Sequence, residues 1–208
     1  VTPHLDLILD GSRSMGLEDS AKPEAVAKLG ALLATAAANV QCSHAVWLSG
    51  EGFHRLANDS HPPSTWDGLG FESVRNLDQS LDLLGPRLRR LGVRVLISDL
   101  LWPAQPIHTI RRLREGAAAL FVLQLLGRDD VTPPEQGSLR LIDSETGETT
   151  ELYVDAGVSR LYRDGLARLQ QSWDDTCRQC GAHLTTLIAE ELESSLARLE
   201  SLQLVAPA

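Results

Sequence analysis

The chain has 208 residues, 43% of them apolar and 23% charged, a composition that folds around a core without staples and lies far from that of disordered segments. Its formal net charge of -9 argues against a nucleic-acid or anionic-membrane surface, which needs clustered Lys and Arg. Three cysteines, Cys42, Cys177 and Cys180, cannot all pair, which suits a reducing compartment, and no window approaches the apolar length that spans a membrane.

In chain order, Leu5 to Leu9 is an apolar run that stops on Asp10 and a Gly-containing turn, the pattern of a buried strand. Asp19-Ser20 offers an N-cap and Pro23 suits a first helical turn, with Val26, Leu29, Leu32, Leu33, Ala36, Ala37 and Val40 recurring at helical spacing. His44 to Leu48 predicts a strand, Gly50-Glu51-Gly52 a tight turn, and Phe53 to Ala57 a hairpin partner at the sheet edge. Asn58 to Gly70, with Pro62-Pro63, is loop.

Val74, Leu77, Leu81 and Leu84 mark a helix ended at Gly85-Pro86, with a further turn through Leu88 and Leu91. The β-branched run Val93 to Ile97 is a further strand and, like the first, stops on an aspartate, at Ser98-Asp99; Ile107, Ile110 and Leu113 mark another helix. The basic runs Arg87-Leu88-Arg89-Arg90 and Arg111-Arg112-Leu113-Arg114 fall late in predicted helices, where cations suit the negative helix end. Ala118 to Leu126 is apolar nearly throughout, as a central parallel strand is.

Up to that point strands alternate with helices, which predicts a doubly wound, mostly parallel α/β sheet with helices on both faces. Leu139 to Asp155 departs from the rhythm: two short strand patterns flank Ser144-Glu145-Thr146-Gly147, an inserted β-hairpin. Val158, Leu161, Tyr162, Leu166, Leu169, Trp173 and Cys177 step by three and four along the longest helix. His183 to Ile188 is a last strand, and Leu192, Leu196 and Leu199 mark a closing helix.

The chemistry is expected at Asp10, Ser12 and Ser14, because ligands of open parallel sheets gather beyond the carboxyl ends of strands, and residues two apart in extended chain point the same way. One carboxylate and two hydroxyls are hard oxygen donors, suited to magnesium or manganese. Asp10-x-Ser12-x-Ser14 after an apolar strand resembles the D-x-S-x-S signature of the metal-ion-dependent adhesion site of von Willebrand factor A (vWA) domains. With the Ser98-Asp99 strand end, the acidic Asp143-Ser144-Glu145-Thr146-Gly147-Glu148 segment, Tyr162 and the long helix, the order resembles a bacterial vWA-like family of unknown function. Members of that family are often encoded beside MoxR-type AAA+ ATPases. The resemblance runs from Leu5 to about Ala189.

The resemblance implies a single vWA-like domain over 1–208, a piece of a longer and cytoplasmic protein whose tethering is left open. It implies a non-catalytic protein-interaction module, metal-dependent through magnesium or manganese, whose partner is a MoxR-type AAA+ ATPase. It also implies that Asp99 faces Asp10 across the cleft where the sheet order reverses. Carried over residue by residue, Asp10, Ser12, Ser14 and Asp99 are the metal ligands. Arg75 stands where such sites carry a threonine, and Ser73 is the nearest hydroxyl. A guanidinium about 4 Å from a carboxylate gains on the order of 4 kcal/mol at an effective dielectric near 20. Two alternatives follow: Arg75 neutralises the acids in the cation's place, or Ser73 supplies an oxygen while Arg75 turns to solvent.

Two other classes compete. A magnesium-dependent phosphotransferase of the dehalogenase type also places an aspartate after an apolar strand, but it needs D-x-D where this chain has Ser12, and a lysine near a strand end to hold a phosphate, where none is expected here. Cys177, Cys180 and His183 have C-x2-C-x2-H spacing, but steps of three on a helix drift and rise too far for one zinc ion. The serines lie in no G-x-S-x-G elbow, so no nucleophile is expected, and Glu145 and Glu148 are expected to be solvated.

Overall fold

The first strand, β1 (His4–Leu9), buries nearly every side chain because Leu7 and Leu9 face one side of a sheet and Ile8 the other. The computed structural model describes residues 3–59, 63–66, 68–103, 105–132 and 136–201, which include β2 (Ser43–Gly50), β3 (Gly52–Arg55), β4 (Val93–Ser98), β5 (Ala119–Leu126) and β8 (His183–Ile188). Their order is β3-β2-β1-β4-β5-β8, parallel except for the edge hairpin partner β3. The sheet reverses direction of winding between β1 and β4, which is where ligands gather in such sheets.

Helices cover both faces. On one, α1 (Lys22–Asn39) and α6 (Leu192–Ser201) pack Leu29, Leu33, Leu192 and Leu199 against Leu7, Leu9, Val95 and Leu123. On the other, α2 (Leu77–Leu83), α3 (Pro106–Arg114) and α5 (Ala156–Gln179) enclose Ile8, Leu96 and Val122 with Leu81, Ile110, Trp173 and Cys177. A one-turn helix, α4 (Arg128–Val131), follows β5. The α/β class and the mostly parallel sheet are thus as the alternation of patterns predicts.

The inserted hairpin also forms, as β6 (Gly137–Ile142) and β7 (Thr149–Val154) in a separate two-stranded sheet. Asp143 shapes its turn by accepting from the backbone N–H groups of Glu145 and Thr146 at 3.0 and 2.7 Å.

Several predicted element ends shift. The helix expected from Val74 begins at Leu77, because Asn76 and Gln79 form a reciprocal cap: each side chain accepts from the other's backbone N–H, at 3.0 and 3.1 Å. Val40 lies past the end of α1 and is exposed. The further turn through Leu88 and Leu91 is not helical, since Pro86 interrupts it and the Arg89 N–H donates to Asp6 Oδ2 at 3.0 Å. The first basic run therefore ends no helix, whereas Arg111, Arg112 and Arg114 occupy the last turn of α3. The apolar stripe of α5 is buried at Trp173 and Cys177 but bare at Leu161 and Tyr162. Pro62 of the predicted loop and the side chain of Leu196 lie outside the described ones, while Pro63 opens a short 3-10 turn.

Candidate functional site

Asp10 continues β1 by donating its N–H to Ile97 O at 3.0 Å, so its carboxylate stands where β1 and β4 end side by side. Oδ1 accepts from the Ser12 N–H at 3.0 Å and from Ser49 Oγ at 3.3 Å, and Oδ2 accepts from Ser98 Oγ at 2.6 Å. The residue is fully buried, and that burial, followed by the nearby Asp99 charge, pushes its carboxyl up to about 6. Gly11 is required next to it: a Cβ there would lie 2.2 Å from Ser49 O, and β2 would have to move. Ser12 and Ser14 then bring their hydroxyls 3.1 Å apart, Ser12 buried and Ser14 half-buried at the mouth.

Asp99 follows β4 and lies beside this group. The chain turns sharply after it, with Leu100 in the left-handed region at φ 57 although fully buried, a conformation that costs a non-glycine residue about 1–2 kcal/mol. Ser98 Oγ accepts from the Leu100 N–H at 3.1 Å and Asp99 Oδ1 from the Leu101 N–H at 3.2 Å, which hold that turn. From behind, Gln124 Nε2 donates to Asp99 O at 3.1 Å, while Gln124 Oε1 accepts from Gln170 Nε2 at 3.2 Å and Thr186 Oγ1 at 2.9 Å.

The cation beside these acids is Lys22. Its Nζ lies 3.0 Å from Asp99 Oδ2 and 3.1 Å from Asp130 Oδ2, with the side chain 2% exposed. Burial alone would lower the ammonium, but the two carboxylates outweigh it and hold it above its ordinary value. Asp130 is fixed by accepting from the Gly127 N–H at 2.8 Å, and its carbonyl accepts from the Tyr162 hydroxyl at 2.8 Å. Neither Lys22 nor Asp130 was expected from sequence. Asp130 had a signal, lying a few residues beyond the third central strand, whereas nothing local to Lys22 pointed to Asp99.

Of the two alternatives for Arg75, the structure has the one in which it turns to the surface rather than neutralising the acids. Its Nε lies 2.9 Å from Glu51 Oε2 near the surface, away from Asp10 and Asp99. Ser73 is likewise committed elsewhere: its Oγ accepts from the Arg75 N–H at 3.0 Å and donates to Arg75 O at 3.2 Å, while its backbone bridges the first loop at Gly11 and Arg13. Val74 stands at the mouth instead.

These donors fit a magnesium or manganese ion poorly in this arrangement. An ion on Asp99 Oδ2, at about 2.1 Å, would lie within about 5 Å of the Lys22 ammonium, since that oxygen is 3.0 Å from Nζ. The repulsion there is about 7 kcal/mol at an effective dielectric near 20. Both Asp10 oxygens already accept hydrogen bonds, and the second loop contributes no free hydroxyl. Among the described residues no group of three His, Cys, Asp or Glu side chains is arranged to hold a metal ion.

Above the acids opens a cleft of about 480 Å³. Ser12, Ser14, Lys22, Asp99 and Asp130 form its floor, Trp102, Asn76 and Gln79 line its walls, and the hairpin residues Ile142, Asp143, Ser144, Glu145 and Thr146 form its lip. Leu17, Val74 and Ile142 on the rim are exposed by 46%, 46% and 63%. Of the other sequence candidates, Cys177 is buried, its thiol pushed up to about 12 chiefly by burial, Cys180 caps α5, and His183 of β8 stacks on Phe121 of β5. All three cysteines are free thiols.

A family model described as protein of unknown function matches residues 71–173 of this chain. The matching family is DUF58. The DUF58 match takes in Asp99, Asp130 and the whole hairpin, and leaves out Asp10, Ser12, Ser14 and Lys22. An uncharacterized protein of Mycobacterium avium is 32% identical over 115 residues, 54% of this chain and 66% of that one. Another, of Mycobacterium tuberculosis, is 32% identical over 114 residues, 54% of this chain and 35% of its own length. The aligned part therefore spans less than two thirds of either relative.

Among solved structures, the PilB minor pilin of Streptococcus sanguinis superposes with a TM-score of 0.51 over 98% of this chain and 61% of its own, at 9% identity. BatB of Bacteroides thetaiotaomicron gives 0.46 over 97% and 98% at 11% identity. The vWF domain of the pilus tip protein Mfa5 of Porphyromonas gingivalis gives 0.36 over 100% and 98% at 10% identity. At 9% identity the likeness to PilB is one of fold. Among the described residues no helix is long and apolar enough to cross a membrane.

Proposed function

We propose that this DUF58-type chain is a non-catalytic interaction module that captures a segment of a partner protein in the cleft over β1 and β4. The observation that carries this is the cleft itself: an acidic floor tied together by Lys22 under an exposed apolar rim of Leu17, Val74 and Ile142. Apolar rim residues beside a concave site are what protein recognition uses. Of its charged lining residues four are acids, Asp99, Asp130, Asp143 and Glu145, against one cation, Lys22. The matching occupant is a segment with an apolar anchor flanked by Lys or Arg.

The partner we assign, on the resemblance to vWA-like proteins encoded beside such enzymes, is a MoxR-type AAA+ ATPase acting in assembly or maturation of other proteins. The test is co-elution and calorimetry of the purified chain with the MoxR-type ATPase of the same organism. Wild type binds, Ile142→Asp weakens binding at least about tenfold, as loss of a buried anchor does, and the double reversal Asp143→Lys, Glu145→Lys weakens it in a salt-dependent way. Absence of binding by wild type, or equal binding by all three proteins, overturns the proposal.

The phosphotransferase alternative gains one element from the structure, since Lys22 lies at two strand ends where no lysine was expected. It gains no nucleophile. Asp10 is fully buried with both oxygens accepting hydrogen bonds, and Lys22 is spent on two carboxylates. The expectation is no turnover of a generic aryl phosphate with magnesium present.

A further inference from the structure

The adhesion-site resemblance and the donor set disagree about the cation, and the disagreement has a physical resolution. Asp99, the acid to which the resemblance gives the metal, accepts instead from the ammonium of Lys22 at 3.0 Å, and the same nitrogen reaches Asp130 Oδ2 at 3.1 Å. Lys22 comes from the opening residue of α1, directly after the loop that carries Ser12 and Ser14, and its side chain crosses to the tips of β4 and β5. A cation at a helix start opposes the helix dipole, and a buried ammonium loses its hydration, so its place is secured by the paired carboxylates. On the opposite side of the mouth the oxygen that a divalent ion would need is gone: Ser73 Oγ closes its own turn on Arg75, and Val74 faces the cleft.

We propose that Lys22 is a tethered cation that stands in for the divalent metal, so that the floor of the cleft is complete, charged and shaped without magnesium or manganese. The proposal is independent of what docks above, because it concerns only the chain's own side chains. It also separates this chain from sites whose occupancy varies with metal supply: a lysine is always present, cannot be chelated, and adds a single charge where the ion would add two.

The experiment is titration of the full chain with magnesium and with manganese, read by calorimetry, by the electron paramagnetic resonance signal of free manganese, and by Tm in chelator against metal. Wild type is expected to bind neither ion at millimolar concentrations and to keep one Tm in both buffers. Lys22→Ala is expected to lower Tm in chelator, and manganese is expected to restore part of the loss, because the ion then fills the vacated charge between Asp99 and Asp130. Lys22→Arg, which keeps the charge, is expected to stay metal-insensitive. Saturable manganese binding by wild type, or a wild-type Tm that falls in chelator, overturns the proposal whether or not Lys22→Ala folds. If Lys22→Ala folds and gains no response to either ion, the substitution of lysine for metal is overturned as well.

Discussion

The floor of the cleft and its lip are built by opposite rules. In and beneath the floor the acids are tied down: Asp10 accepts three hydrogen bonds, Asp99 is held by Lys22, by the Leu101 N–H and through its carbonyl by Gln124, and the Asp10, Asp99, Lys22 and Gln124 side chains are buried. In the lip, β6 and β7 pair only with each other, and Leu141, Ile142 and Tyr153 are exposed. A hairpin alone is marginally stable in water. The contrast teaches that shape is fixed below, where desolvated charges tolerate no slack, while the surface offered to a partner lies above on an element that contributes little to the core.

Substitutions can break that contrast, and the largest effect belongs to Lys22. Lys22→Met leaves Asp99 buried without its partner and is expected to cost about 3–5 kcal/mol in urea unfolding. A cost below about 1 kcal/mol would mean that the floor is less closed than described.

Asp10 comes next, through pH. Its folded carboxyl is raised from 3.8 to about 6, so its contribution is fully present below pH 3.8 and is lost as pH rises through 6. Asp10→Asn keeps a neutral group in place, and its stability relative to wild type is expected to grow between pH 4 and pH 7.5 by up to roughly 3 kcal/mol. A pH-independent difference would remove burial as the cause.

The lip is expected to behave in the reverse way. Ile142→Asp should change unfolding free energy by no more than about 0.5 kcal/mol while weakening partner capture, and a large loss of stability would place the hairpin in the core. The smallest effect is expected at Arg75→Thr. Arg75 and Glu51 form a pair 38% and 72% exposed, so Tm should move by less than the equivalent of about 0.5 kcal/mol, with no metal binding gained.

The sheet was legible because buried strands announce themselves as apolar runs stopped by turn residues, and two such runs ending on Asp10 and Asp99 are adjacent once the winding order is right. The hairpin was legible from Ser144-Glu145-Thr146-Gly147. Lys22 was not, because its partner Asp99 is 77 residues away, and only tertiary packing brings a helix-start lysine over two strand tips. For Arg75 the sequence left two positions open, and the choice between them is local. Counting back from Leu77 puts it at the mouth, but the Asn76 cap fixes where α2 starts and leaves Arg75 outside, free to reach Glu51.

Gln124 has both sides of its amide committed, to Asp99 O on one and to Gln170 and Thr186 on the other. The acidic floor is thereby fastened to β8, an element that offers it no lining side chain. The stretch that the DUF58 model matches stops at Trp173, short of Thr186, and starts at Phe71, after Asp10 and Lys22. Cut out alone, it would keep the overhang and lose both the foundation and the bolt that holds it.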